Sequence, residues 1–208
     1  MKYRSAVIVV IVIVILDQVL KFWVKAHMYI GQEYNILGHW FRIQFIQNEG
    51  MAYGISLGNS DGKILLTLLR LVAVIIGFFI LKRLTRQKYP KGLIICGALI
   101  IAGAMGNLVD SMFYGLIFSA STVTQLAHFL PAGGGYAGFL HGKVVDMLYF
   151  PIYQGFLPEW IPFVGGEHFE FFQYVFNISD ASISVGVIVI LIFQKKFFKH
   201  PVGVRSKK

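Results

Sequence analysis

AVIVVIVIVILDQVLKFWV, residues 6–24, begins with eleven purely apolar residues before it admits Asp17 and Lys21. A helix of that length rises roughly 28 Å, about the thickness of a bilayer's hydrocarbon. The stretch therefore reads as a first membrane span. Lys2 and Arg4 ahead of it imitate a signal peptide, but its second half carries no small-residue cleavage pattern, so the span is expected to stay uncleaved. Asp17 and Lys21 lie four residues apart on one helix face, acid before base, the favourable order for an ion pair. Two readings stand: a self-neutralising pair that snorkels to the interface, or a pair that faces the bundle interior and orders a site.

The rest of the chain has the same character. Of 208 residues, 56% are hydrophobic and 14% charged, with a mean hydropathy of +0.67. That excludes an ordinary soluble domain and indicates a polytopic membrane protein. Further spans are expected at about 64–81, 92–112 and 177–193, with 25–63 and 113–176 between them outside the membrane. The net charge of +9 would suit nucleic acid only if it covered one face. Instead, basic residues gather at Lys2 and Arg4, in Lys82, Arg83, Arg86, Lys88 and Lys91, and in the tail from Lys195 to Lys208, and no acid falls within these groups. This positive-inside pattern predicts cytoplasmic termini and a cytoplasmic 82–91 loop, and speaks against nucleic acid as a partner. Cys96, the sole cysteine, lies in an apolar run and reads as packing. There are no internal repeats and no soluble second domain, so residues 1–208 read as one integral-membrane domain.

Polar residues within and beside the spans are few and placed to a pattern. In span three, Ala98, Ala102 and Gly106 recur every four residues and permit close helix approach. On a neighbouring face Gly103, Asn107 and Asp110 follow at i, i+4 and i+7. Arg70, about two turns from the outer end of span two, is within snorkelling reach of the interface. Phe41-Arg42-Ile43-Gln44-Phe45 alternates like a strand and leads to Asn48, which reads either as a turn residue or as an amide that grips an extended peptide. The aromatic-rich 113–175 segment suits a membrane surface. Given this topology, Asp17, Asp110, Asp146 and Asp180 all fall near the outer boundary of the hydrocarbon. No nucleophile–base arrangement and no zinc-binding helix accompanies them. A pair of carboxylates remains. Two of them a few ångströms apart share one proton, so one can deprotonate water while the other protonates a carbonyl oxygen. The same acids would also serve a small proton-coupled transporter as a relay, although such a relay would spread them through the bilayer depth. A structural or assembly protein would have no need for the polar face on span three.

Five segments, in order across nearly the whole chain, resemble the bacterial lipoprotein signal peptidases (signal peptidase II), which are membrane aspartic peptidases. Asp17-Gln18-Val19-Leu20-Lys21 is similar to that family's Asp-Gln-x-x-Lys, and Asn48-Glu49-Gly50-Met51-Ala52-Tyr53-Gly54 to its Asn-x-Gly-x-Ala-aromatic segment. Ala102 to Asp110 resembles its Gly-Ala-x-Gly-Asn-x-x-Asp. Val144-Val145-Asp146 and Phe176-Asn177-Ile178-Ser179-Asp180 resemble its last two motifs. The resemblance implies four transmembrane helices with a small extracytoplasmic β-sheet and an interfacial loop or helix segment. It implies Asp146 and Asp180 as the catalytic dyad, with Asp17, Lys21, Asn48, Gly50, Gly103, Asn107, Asp110 and Asn177 binding substrate or supporting the site. It implies no cofactor and no metal. The implied partners are membrane lipid and prolipoproteins whose signal-peptide cysteine carries diacylglyceryl, cut just before that cysteine. The enzyme would be a monomer in the bacterial inner membrane, its site at the extracytoplasmic face.

Three features depart from the family pattern. Ser111 stands where the family usually has Arg, and Arg70 of span two is the residue that could supply that charge. Met147 stands for a common Phe, and Ser179 for a common Ala. The 113–143 and 151–175 stretches look longer than in many relatives and are expected to shape the lid.

Overall fold

The structure, a computed structural model, describes residues 1–48 and 60–199. Four helices are long and apolar enough to cross a membrane: α1 (Tyr3–His27), α2 (Ser60–Arg86), α3 (Lys91–Val109) and α5 (Ile178–Phe198). Helices α1 and α2 run past the apolar stretches expected for them at both ends and α5 does so at its C-terminal end, because lipid forces the backbone to bond internally until polar termini reach water; α3 itself stops at Val109, short of the expected 112. Pro90 caps α3 and cannot extend the helix before it, so α2 and α3 form a hairpin across Gln87–Tyr89.

Helix α3 is the centre of the bundle. Its apolar window is 56% buried, against 17–22% in the other three, and it packs on α1, α2 and α5. Ala98 and Ala102 sit with Ala6 and Val10 of α1 and Leu81 of α2 in one buried cluster, where their short side chains let the backbones approach. The outer faces, such as Ile8, Leu69, Phe79 and Ile188, are apolar and exposed, as lipid-facing surfaces are. At its C-terminal end α3 widens into a π-helical turn, Asp110–Tyr114, before the short α4, Gly115–Ile117. Ser111 donates its hydroxyl to the carbonyl of Asn107 at 2.9 Å at this point, a back-bond that competes with the regular ladder.

A four-stranded antiparallel sheet, ordered β1-β2-β3-β6, closes the end of the bundle away from both chain termini. Its strands are Glu33–Leu37, Phe41–Asn48, Val144–Tyr149 and Val175–Phe176. The alternation read at 41–45 is strand β2, whose Phe45 is buried with Val24, Met28, Tyr114, Phe118, Val145 and Met147. The β2–β3 register slips between Ile43 and Ile46, then sets Ile46 opposite Asp146 and Asn48 opposite Val144. The 113–176 segment, expected as interfacial loop or helix, is helical among the described residues only at its start. Beyond β3 it forms a separate two-stranded ribbon, β4 (Tyr153–Phe156) with β5 (His168–Phe171). HFEF alternates polar and aromatic residues, a strand period rather than a helical one, and YQGF, which does not alternate, pairs with it along its whole length.

Candidate active site

The first polar cluster grows from α1. Asp17 and Lys21 share a face and are 1% and 0% exposed, so the pair faces the bundle interior and does not snorkel. Lys21 Nζ lies 2.9 Å from Asp17 and 2.8 Å from Asp110, and donates to Asn107 Oδ1 at 2.8 Å. One cation thus uses all three of its donors. The carboxylates are satisfied from other elements as well. Asp110 accepts from Gln18 Nε2 at 2.8 Å and from the Val145 amide at 3.1 Å, and Asp17 accepts from the Ser179 amide at 2.9 Å. The strand that carries Asp146 and the helix that carries Asp180 are both docked on this buried ion network.

The second cluster is built by two asparagines. Asn177 caps α5 through a reciprocal box: its Oδ1 accepts from the Asp180 amide at 2.9 Å, and Asp180 Oδ2 accepts from the Asn177 amide at 3.3 Å. The asparagine's amino group is left to point across the site, where it donates to Asp146 Oδ1 at 2.7 Å. Asn107 Oδ1 faces Lys21, so its amino group faces Asp180 Oδ1 at 2.8 Å. Asn48 at the end of β2 donates to Asp146 Oδ2 at 3.3 Å. Asp146 is buried at 4% exposure, whereas Asp180 is half-buried and open on one side. Burial first, then the neighbouring charge of Asp180, pushes the Asp146 carboxyl up to about 7, against the pull of Asn48, Lys21 and Asn177.

Packing explains the glycines. A Cβ on Gly103 would sit 2.1 Å from the Ser179 carbonyl, and one on Gly106 would sit 2.0 Å from Ser179 Oγ and 2.6 Å from Asp17 Oδ2. Without side chains at these points α3 approaches α5 and α1 closely enough for Asn107 to reach Asp180 and Lys21. Gly50, with the rest of the 49–54 motif, lies outside the described residues. Arg70 turns inward rather than out to the interface, and its Nη1 donates to Ser111 Oγ at 3.2 Å. Met147 is buried among Val24, Phe45 and Phe118, filling core volume. Among the described residues, Ser179 Oγ is buried without a hydrogen-bond partner.

Sequence reading missed three contributors. Gln18 ties Asp17, Asp110 and the Gly106 carbonyl together, and Tyr114 donates its hydroxyl to Gln18 at 3.1 Å. Gln18 was quoted within its motif without a task, and its place beside Asp17 was the available signal. Lys25, fully buried, continues the 17–21 face by one more turn. Its Nζ donates to Ser121 Oγ at 3.0 Å and lies 4.9 Å and 5.3 Å from the rings of Tyr136 and Phe118. The i+4 spacing from Lys21 was there to be read.

The chain and its fold are similar to those of known proteins. The family model described as Signal peptidase (SPase) II matches residues 9–196. The lipoprotein signal peptidase of Porphyromonas gingivalis strain W83 is 46% identical over 192 residues, 92% of this chain and 82% of that protein. The one from Amoebophilus asiaticus is 34% identical, over 91% and 77% of the two chains. Two bacterial membrane enzymes solved by the in meso method share the fold. One has a TM-score of 0.58 at 24% identity over 97% of this chain and 94% of that one, the other a TM-score of 0.57 at 25% identity over 92% and 93%.

Proposed function

The chain belongs to the signal peptidase II family, and on that premise we propose that it is an aspartic endopeptidase of the bacterial cytoplasmic membrane. It removes the signal peptide from diacylglyceryl-modified prolipoproteins, cutting just before the lipidated cysteine. Residues 1–208 act as a single monomeric membrane unit with both termini cytoplasmic. The sheet and the dyad lie on the extracytoplasmic side.

The observation that carries this reading is the shared amide scaffold of Asp146 and Asp180. Asn177 bonds both of them, and Asn107 bonds Asp180 while itself held by Lys21. At neutral pH such a pair holds one proton, and the more deeply buried Asp146 keeps it. Asp180, on the open side, takes a proton from an attacking water, while Asp146 donates its own to the scissile carbonyl oxygen. The resulting tetrahedral diol collapses as a proton passes to the leaving amine, and no covalent enzyme intermediate forms. Asn48, Asn107 and Asn177 fix the carboxylate orientations, and Asp17, Lys21 and Asp110 hold the elements that carry them. The family membership favours this reading over a transporter relay.

The test is to incubate the purified protein with a diacylglyceryl-modified precursor and, in parallel, with the unlipidated precursor. Cleavage of the lipidated substrate alone is expected, with no cleavage by Asp146→Asn or Asp180→Asn protein that remains folded in the membrane. Cleavage by either variant would remove that aspartate from the dyad.

A further inference from the structure

The inward stripe of α2 is Thr67, Arg70, Val74, Gly77 and Leu81, spaced three and four residues apart as a helix face requires. Thr67, Val74 and Leu81 are buried, and Gly77 meets Ile101 of α3. Thr67 Oγ1 also donates to the Leu140 carbonyl at 3.3 Å, so the outer segment holds this face in register one turn before Arg70. Arg70 is therefore a cation presented to the bundle interior, where charge is costly and is rarely placed by accident. Its guanidinium donates to Ser111 Oγ, and Ser111 donates to the carbonyl of Asn107, the residue whose amide holds Asp180.

Charge balance shows what this cation faces. Lys21 is engaged by Asp17 and Asp110 on the inner side of the site. Among the described residues no salt bridge reaches Asp146 or Asp180. Arg70 lies in the field of Asp180 of α5 foremost, then of Asp110 of the π turn and Asp146 of β3. The charged groups that α1 brings to this level, Asp17 and Lys21, are already joined to one another and to Asp110.

We propose that Arg70, seated on α2 and bonded to Ser111, is a positioning residue that keeps one member of the Asp146–Asp180 pair ionised. This rests on the dyad reading given above. The helix that carries the cation is a neighbour of the helix that carries Asn107, so the field is set across a helix–helix contact. The role needs a positive charge at this place, and the guanidinium's fork lets it bond Ser111 without leaving the field of Asp180.

The experiment is the pH profile of kcat and kcat/KM for a diacylglyceryl-modified precursor, using the full chain in detergent. Arg70→Gln is expected to move the acid limb upward by about one pH unit, which is about a tenfold loss on that limb and little change above it. Arg70→Lys keeps the wild-type midpoint, and so does the relocated charge of Arg70→Gln/Ser111→Arg. An unmoved acid limb in Arg70→Gln, or an Arg70→Lys profile equal to that of Arg70→Gln, overturns the proposal. Where Arg70→Gln fails to accumulate in the membrane, Arg70→Lys and the double variant decide: wild-type midpoints support the proposal, and a shifted midpoint or equal failure of the double variant overturns it. Asp146→Asn and Asp180→Asn run alongside. Cleavage by either would sink the dyad itself, whereas two dead variants with an unmoved Arg70→Gln limb sink only the role of Arg70.

Discussion

Replacing Lys21 by Met keeps the length of the side chain and removes its charge. Lys21 is fully buried and serves two carboxylates and one amide oxygen, all within 2.9 Å. Without it, Asp17 and Asp110 remain buried at 1% and 0% exposure with no cation between them. Removing one partner of a buried pair costs about 3–5 kcal/mol, because the remaining charge is uncompensated, and two charges remain here. For a chain of this size a loss of that order lowers the unfolding temperature by about 10 °C. Thermal unfolding in detergent, followed by tryptophan fluorescence, measures it, since Trp23 lies on α1 itself. A triple variant, Lys21→Met with Asp17→Asn and Asp110→Asn, removes the orphaned charges with the cation and recovers at least half of the loss. Unfolding of Lys21→Met within 2 °C of wild type, in the same assay, would show that the network does not hold the bundle as argued.

Three further outcomes are expected. The raised Asp146 carboxyl stabilises the fold below pH about 4, and that stability is lost as pH rises through about 7. Denaturation of wild type against Asp146→Asn at pH 4.5 and 7.5 should diverge by about 3 kcal/mol in favour of the variant at the higher pH, while wild-type cleavage falls above pH 7 as the shared proton leaves; parallel stability curves would refute the shift. Gly106→Ala thrusts a methyl against Ser179 and Asp17, which costs about 1–3 kcal/mol by overpacking and displaces Asn107; wild-type stability together with wild-type kcat would refute the close approach. Ser179→Ala deletes a buried hydroxyl without a partner and should raise stability by about 1 kcal/mol, read as a higher unfolding temperature; a destabilised variant would mean that the hydroxyl is bonded after all.

The spans were legible because lipid imposes one rule on every helix, and the runs at 6–24 and 92–112 obey it without ambiguity. The faces were legible too. Asp17 with Lys21, and Asn107 with Asp110, follow from helical spacing alone, and the structure joins all four in one network. What spacing cannot carry is contact between elements of different period. Asp146 meets Asn48 because β2 and β3 pair with a slipped register, and no local pattern announces a slip. Likewise, the direction of Arg70 depends on whether water or Ser111 is nearer, which is a property of the assembled bundle. The YQGF and HFEF strands were hidden by aromatics that suit an interface in any backbone conformation. The Asn177 cap was half visible: Asn-x-x-Asp before an apolar run reads as a helix start, but not as an amide shared with a strand.

The bond from the Ser179 amide to Asp17 joins residues 162 positions apart, so the polar centre is closed by contributions from the first and last helices. Translation delivers these at opposite ends of synthesis. A nascent chain that has emerged past residue 146 but not past residue 176 carries Asp146 but lacks Asn177, the second carboxylate and the lock on Asp17. On the proposed dyad, cutting power and complete membrane integration arrive together, and an unfinished copy is expected to be inert toward signal peptides.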